Sequence, residues 1–439
     1  MRLIVIHLLA MTQLCHAAGP LQLSLKRAVE IATSPEGNAK IQLSDEALKQ
    51  AESRSTQARA ALLPDVEGAF SKENATRNLQ AVGISVTVPI PGFHFPAFVG
   101  PFSVIDARVN ATQNVFDYSS ILRFRASKEG VAAAKSDVSG TGEQVAAQVA
   151  RAYLAAVRAD ADVEVAQANV TLSEALVKQA ENQKAAGTGT GIEITRARVQ
   201  LANDNQRLLV ARNQRRSTQL QLMRAMGVRL DSELELTDKL AYTPVDAVTV
   251  EQARAQAFKE RPDYAAQQER ESNARLAASA TKMERLPSVS AFGDYGSSGT
   301  GITNSLPTRT IGVQVRVPIF DGGRRDARRE ESASQYRAEK VRTNDLKEQI
   351  ELDVRLALDA LQSADDQVKV AREGLDLAQN ELTQARRRYD AGVAISLEVT
   401  DAQTRLQRAR DNQTAALYNY NLARIDLAQA MGAVRRSVQ

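Results

Sequence analysis

The side chains that could do chemistry are few in kind. Among 439 residues there is one cysteine, Cys15, and there are three histidines, His7, His16 and His94. Residues 1–17 have the form of a secretory signal, with Arg2, the apolar run LIVIHLLAM and small residues up to Ala17. Lipidation of Cys15 would need a small residue before it, and that residue is Leu14. Cleavage near Ala17 leaves His94 alone, which excludes disulfides, Cys/His metal sites and a cysteine nucleophile. Any Ser-His-Asp triad would have to use His94. No enzyme, metal or cofactor is expected. What remains in quantity is carboxylate and guanidinium. Glu398 and Asp401 lie three residues apart at a helix start and so share a face. Glu193 stands 205 residues before Glu398. Acids in a first helical turn complement the helix dipole.

These acids are positioned by a helix–turn–helix. In RRRYDAGVAISLEVTDAQ (386–403), Gly392 suits a C-cap that needs positive φ, and Ser396 suits the next N-cap. Subtracting 205 maps Gly392 onto Gly187, Thr400 onto Thr195, and Ala430-Met431-Gly432 onto Ala225-Met226-Gly227. In the first copy Thr190 and Glu193 have capping-box spacing. The chain therefore reads as a tandem duplication. The first repeat is 18–227, with a strand region about 65–117 and a tip about 185–193. A linker covers 228–248, the second repeat 249–432 (strands about 287–321, tip about 389–398), and a short basic tail 433–439.

In each copy a helix, expected from about Ser44 to Leu62 in the first, ends at a Leu-Pro pair, Leu63-Pro64 and Leu286-Pro287. Strands follow. Ile105, Ala107, Val109, Ala111 and Val115 alternate with Asp106, Arg108, Asn110, Thr112 and Asn114, and Ile311, Val313, Val315 and Val317 with Thr310, Gly312, Gln314 and Arg316. Such alternation fits a sheet on a core. However, about two strands per copy are too few for an independent sheet, and eight of ten Phe residues fall in the two strand windows. An apolar-out barrel completed by several subunits accounts for both features. The run PIPGFHFPAFVGPF (89–102), with His94, reads as a loop at a hairpin tip. After the strands, 71 residues separate Phe116 from Gly187 and 72 separate Phe320 from Gly392, almost all helix formers. Their Ala- and Val-rich stretches, such as 145–168, predict close-packed coiled-coil layers rather than a wide core. Arg324, Arg325, Arg328 and Arg329 follow the last strand, either as a solvated face paired with Asp326, Glu330 and Glu331 or as contacts to lipid phosphate. The formal charge of +4 comes from interspersed acids and bases, so nucleic acid is not an expected partner.

The order signal, helix, strand pair, very long helix, tip and returning helix, given twice, resembles the TolC-like outer membrane efflux proteins over the whole mature chain. LSLKRAVEIA, LLPDV and RLPSV, NVFDYS and PIFDGGR, and RRYDAGVAISLEVTDAQTRLQRA carry the resemblance together and in order. It implies an α+β membrane protein, mostly α, whose duplicated helix-strand-strand-helix unit forms, as a trimer, a 12-stranded outer-membrane β-barrel continued by a long periplasmic α-helical barrel. It implies an exit duct of a tripartite efflux or type I secretion system. Its partners would be a periplasmic membrane-fusion adaptor, an inner-membrane efflux pump or ABC transporter, and outer-membrane lipid. The family's entrance ring of acids falls on Glu398 and Asp401, and its gate contacts on Tyr389 and Glu193. Its adaptor-docking tips fall on Gly187, Gly392, Val393 and Ile395. Where the family fastens the gate with an arginine, this chain has Ala394. A soluble periplasmic coiled-coil adaptor or scaffold is the competing reading, but it would have no use for apolar-out strands.

Overall fold

A computed structural model describes residues 21–81, 83, 91, 97–245 and 248–438. The signal region with Cys15, and His94 with most of the Pro/Phe-rich run, lie outside them. The chain divides into two units, one of Met1–Asp45, Val138–Pro262 and Lys347–Gln439 and one of Glu46–Asp137 and Asp263–Leu346.

The second unit holds a sheet. Strands β2 (Asp65–Asn78), β3 (Phe98–Phe116), β5 (Ser288–Gly299) and β6 (Ser305–Arg316) pair antiparallel in the order β2-β3-β5-β6. The two strand pairs, some 190 residues apart in sequence, join through β3 and β5, with Val109 opposite Tyr295. Register follows the alternation, because a one-residue slip would turn every side chain to the other face. One face carries Val66, Ala111, Gly293 and Ile311 in a row, then Phe70 and Ala107. It is open: Phe70 is 70% and Ile311 84% exposed. The other face is polar and knitted together. The Arg108 guanidinium donates to Asp106 at 2.6 and 2.7 Å and to Asp294 at 3.0 Å. Gly296 lies opposite Arg108, where a Cβ would fall 2.3 Å from the arginine's own Cβ.

The loop expected over 89–102 is shorter than that, because β3 already begins at Phe98. The register shifts between Ala75 and Arg77, opposite Gly100-Pro101. A bulge on this side of the pair accommodates the proline, which has no N–H to give the ladder.

Helices make up most of the first unit and also a large part of the second. The N-terminal helices are α1 (Leu25–Thr33) and α2 (Ala39–Ala60), the latter starting earlier than expected. The long α3 (Tyr118–Ala185) returns as α4 (Gly191–Met226), and α7 (Arg324–Asp390) returns as α8 (Ser396–Ala430). Ahead of the second strand pair lie α5 (Val250–Glu260) and α6 (Pro262–Met283).

Two features go beyond what the sequence pattern indicates. First, the Ala/Val stretch of α3 is the centre of the largest buried cluster. Val145, Val149, Ala150, Tyr153 and Val157 pack against Leu222 and Met226 of α4, Ile425 and Ala428 of α8, and Val29 and Ala32 of α1. Small side chains here let several helices approach closely around one segment. Second, the basic tail is docked. Val434 of the short α9 (Val434–Ser437) is fully buried, Arg435 pairs with Glu143 at 2.9 Å, and Arg436 pairs with Glu260.

A two-stranded parallel pair, β1 (Leu21–Leu23) with β4 (Leu234–Leu236), ties the N-terminal end to the linker. The Tyr153 hydroxyl sits beneath it, 2.8 Å from the Leu23 carbonyl and 2.9 Å from the Asp238 carboxylate. Asp238 in turn accepts the Leu25 N–H at 2.7 Å, in the first turn of α1. Burial, then the Asp238 contact, pushes the tyrosine's pKa far up, so it stays a donor. Tyr153→Phe should therefore cost about 1–3 kcal/mol through the unpaired buried acceptors. Faster proteolysis near residue 24 and a lower unfolding temperature would register that loss.

Candidate functional site

Both hairpin tips close in the same way. Gly187 has φ +75° and Gly392 φ +72°, torsions that L residues adopt only at a cost. The Gly187 N–H donates to Lys184 O and the Thr188 N–H to Gln183 O, while Gly392 donates to Tyr389 O and Val393 to Arg388 O, all at 3.0 Å. This is a Schellman closure at each tip. A Cβ built on either glycine meets no atom within 4 Å, so only torsion demands glycine here. Next to these turns Val393 and Ile395 are about two-thirds exposed. Ile192 and Leu397 are exposed as well. Sequence reasoning passed over this second pair, although the offset of 205 relates the two.

The acids occupy different environments. Glu193 stands in the expected capping box with Thr190, its carboxylate accepting the Thr190 N–H at 2.8 Å. In the other copy Ser396 is the first helical residue, and the N-cap is Ile395, extended at φ −96° and ψ 158°. That places Glu398 in the third helical position, where it pairs with Arg388 at 3.0 Å, both side chains largely exposed. Asp401, one turn on, is exposed and has no ion-pair partner among the described residues.

Tyr389 is half-buried against the apolar strip of Ala385, Val399, Ala402 and Leu406. Its hydroxyl donates to Gln183 rather than to Glu193, whose carboxylate is engaged at Thr190. Both residues nevertheless line one small cavity of about 30 Å³, together with Ser173 and Gln403, and Glu398 and Asp401 lie outside it. Burial and, next, the Glu193 charge push the Tyr389 pKa above its ordinary value. A raised pKa favours the folded state while the phenol stays neutral. The stabilisation is complete below about pH 10 and is lost as pH rises through the folded pKa.

Next to the cavity runs a polar chain that sequence reasoning missed. The buried Gln403 amide of α8 donates to Ser173 of α3 at 3.1 Å, and the Ser173 hydroxyl donates to Asp204 of α4, itself 1% exposed. An aspartate in mid-helix reads as a solvated residue, and only the packing of three helices buries it. Among the described residues no group of His, Cys, Asp or Glu could hold a metal ion, and no helix is long and apolar enough to cross a membrane.

A family model described as "Outer membrane efflux protein" matches residues 35–228 and 253–433, the greater part of the chain. The chain belongs to the outer membrane efflux protein family. Membership places it in the outer membrane, with a large periplasmic helical part. Among curated relatives, alkaline protease secretion protein AprF of Pseudomonas aeruginosa is 22% identical over 70% of this chain and 65% of its own length. Pyoverdine export outer membrane protein OpmQ of Pseudomonas putida is 25% identical over 65% of this chain and 61% of its own. The match thus spans somewhat less than two-thirds of these two relatives. The crystal structure of the Campylobacter jejuni CmeC outer membrane channel shares the fold, with a TM-score of 0.79 at 17% identity over 93% of this chain and 85% of that one.

Proposed function

We propose that this efflux-family chain is a passive exit duct, conducting substrates from an inner-membrane efflux pump or ABC transporter and a periplasmic adaptor to the exterior, with no catalysis of its own. The single observation that carries the reading is the sheet: an apolar face open on one side, an Arg108–Asp106–Asp294 network on the other, and edges at β2 and β6 with no pairing strand among the described residues. An apolar face cannot stay in water, and a free edge cannot stay in lipid. Three copies would meet both demands. Their four strands alternate in direction, so the β6 edge of one copy meets the β2 edge of the next antiparallel, and twelve strands close. The duplicated repeats, 18–227 and 249–432, would each supply one strand pair and one helical hairpin to a periplasmic tunnel. Glu398 and Asp401 would ring its entrance, and Tyr389 and Glu193 would lie at its gate. Gly187, Gly392, Val393 and Ile395, with Ile192 and Leu397, would present the adaptor-docking tips. The names of AprF and OpmQ, a secreted protease and an exported pyoverdine, mark the range of cargo that such ducts serve.

The expected result is a protein that fractionates with the outer membrane, requires detergent, and runs in mild detergent as a trimer that heat converts to monomer. A folded monomer stable in buffer alone would refute the duct and favour a soluble scaffold.

A further inference from the structure

The segment between the last strand and α7 has a composition that the sheet alone does not require. Val317, Ile319 and Phe320 are 57, 94 and 88% exposed, so three large apolar side chains stand free within four residues. Val317 and Ile319 continue the parity of Ile311, Val313 and Val315, the apolar face of β6. Gly322 (φ +69°) and Gly323 (φ +85°) then turn the chain sharply into α7, and the Asp321 carboxylate accepts the Arg325 N–H at 3.2 Å in its first turn. Basic residues crowd this turn, and the acids beside them are largely committed. Glu284 pairs with Arg123 and with Arg328, Asp326 with Arg285, Asp321 with Arg325, and Glu330 with Arg337. Arg324 is exposed and has no ion pair among the described residues. An aromatic and an aliphatic side chain with a free guanidinium four residues on match the boundary of a bilayer, where apolar groups enter the acyl region and a cation meets phosphate.

We propose that Val317–Arg324 is an interfacial anchor, in which Ile319 and Phe320 insert at the headgroup boundary of the periplasmic leaflet and Arg324 binds the phosphate of an anionic phospholipid. The proposal rests on the reading that the apolar face of the sheet contacts lipid, and the experiment separates the two. The chain has no tryptophan, so Phe320→Trp and Val313→Trp each create a sole reporter. The full-length variants are reconstituted in phosphatidylethanolamine–phosphatidylglycerol vesicles containing lipids brominated either near the headgroup or near the acyl end. Trp at 313 should be quenched most by deep bromine and Trp at 320 most by shallow bromine.

Quenching at 313 without quenching at 320 would place residue 320 against a neighbouring copy and overturn the anchor while leaving the membrane sheet intact. Quenching at neither site would overturn the membrane reading itself. In the Phe320→Trp background, Arg324→Gln should lower the preference for brominated phosphatidylglycerol over brominated phosphatidylcholine by roughly fivefold, and Arg324→Lys should largely keep it. An unchanged preference in Arg324→Gln would remove Arg324 from the anchor.

Discussion

In planar bilayers the Glu398→Ala, Asp401→Ala double variant should lose most of its cation preference, with the permeability ratio of potassium to chloride falling about tenfold. A trimer would bring six carboxylates to one opening, where they concentrate cations. The single variants should not be equal. Glu398 already faces Arg388 at 3.0 Å, whereas Asp401 is exposed without an ion-pair partner among the described residues. Asp401→Ala should therefore remove more selectivity than Glu398→Ala, and Arg388→Ala should increase it by releasing the glutamate. An exposed pair of this kind contributes little to stability, so these variants should assemble normally. Reversal potentials in a salt gradient measure wild type and all four variants. Equal values for wild type and the double variant would mean that the acids serve only the helix dipole.

Four glycines of similar torsion should respond to substitution in two different ways. Gly227 (φ +76°) and Gly432 (φ +72°) end α4 and α8 just as Gly187 and Gly392 end α3 and α7. The difference lies in the space around them. A Cβ on Gly227 would fall 2.5 Å from the Gly37 carbonyl oxygen, and one on Gly432 would fall 2.8 Å from Arg261 Cα, both backbone obstacles. The same breaks in the chain also serve the helix ends. The Asn38 amide donates to Ala225 O at 2.7 Å, and Arg261 donates to Ala430 O at 3.4 Å while pairing with Asp353 at 2.9 Å. Gly227→Ala or Gly432→Ala should thus cost about 3 kcal/mol or more, torsion and overlap together, and should deplete folded protein from the outer membrane. Gly187→Ala should cost only about 1–2 kcal/mol, the torsion term alone. Gly392→Val, with the same open surroundings, should leave membrane levels near normal and abolish export, because the turn that presents Val393 and Ile395 would be deformed. Protease resistance and heat-modifiable trimer measure the first effect, and cargo export measures the second. Similar losses at all four positions would show that torsion, not packing, limits the fold.

Much of the fold was legible because it is written in local chemistry. The alternation of Ile311, Val313 and Val315 with polar residues specifies a strand and its two faces, and Gly187 and Gly392 specify where the hairpins turn. The Leu-Pro pairs set where the helices stop, and the offset of 205 exposes the repetition without any structure. These are signals carried within a few residues by periodicity and torsion. What depended on tertiary structure involves partners far apart in the chain. The pairing of β3 with β5 joins the two strand pairs, the Ala/Val stretch of α3 becomes a core only when helices from both copies surround it, and the basic tail docks through Val434. The hydroxyl of Tyr389 takes Gln183, and Asp204 is buried by Ser173 and Gln403, because side-chain acceptors are selected by distance in space. Residue types and spacing determine the elements and their exposed faces. Which faces meet is decided by close packing and hydrogen-bond satisfaction, which no local pattern encodes.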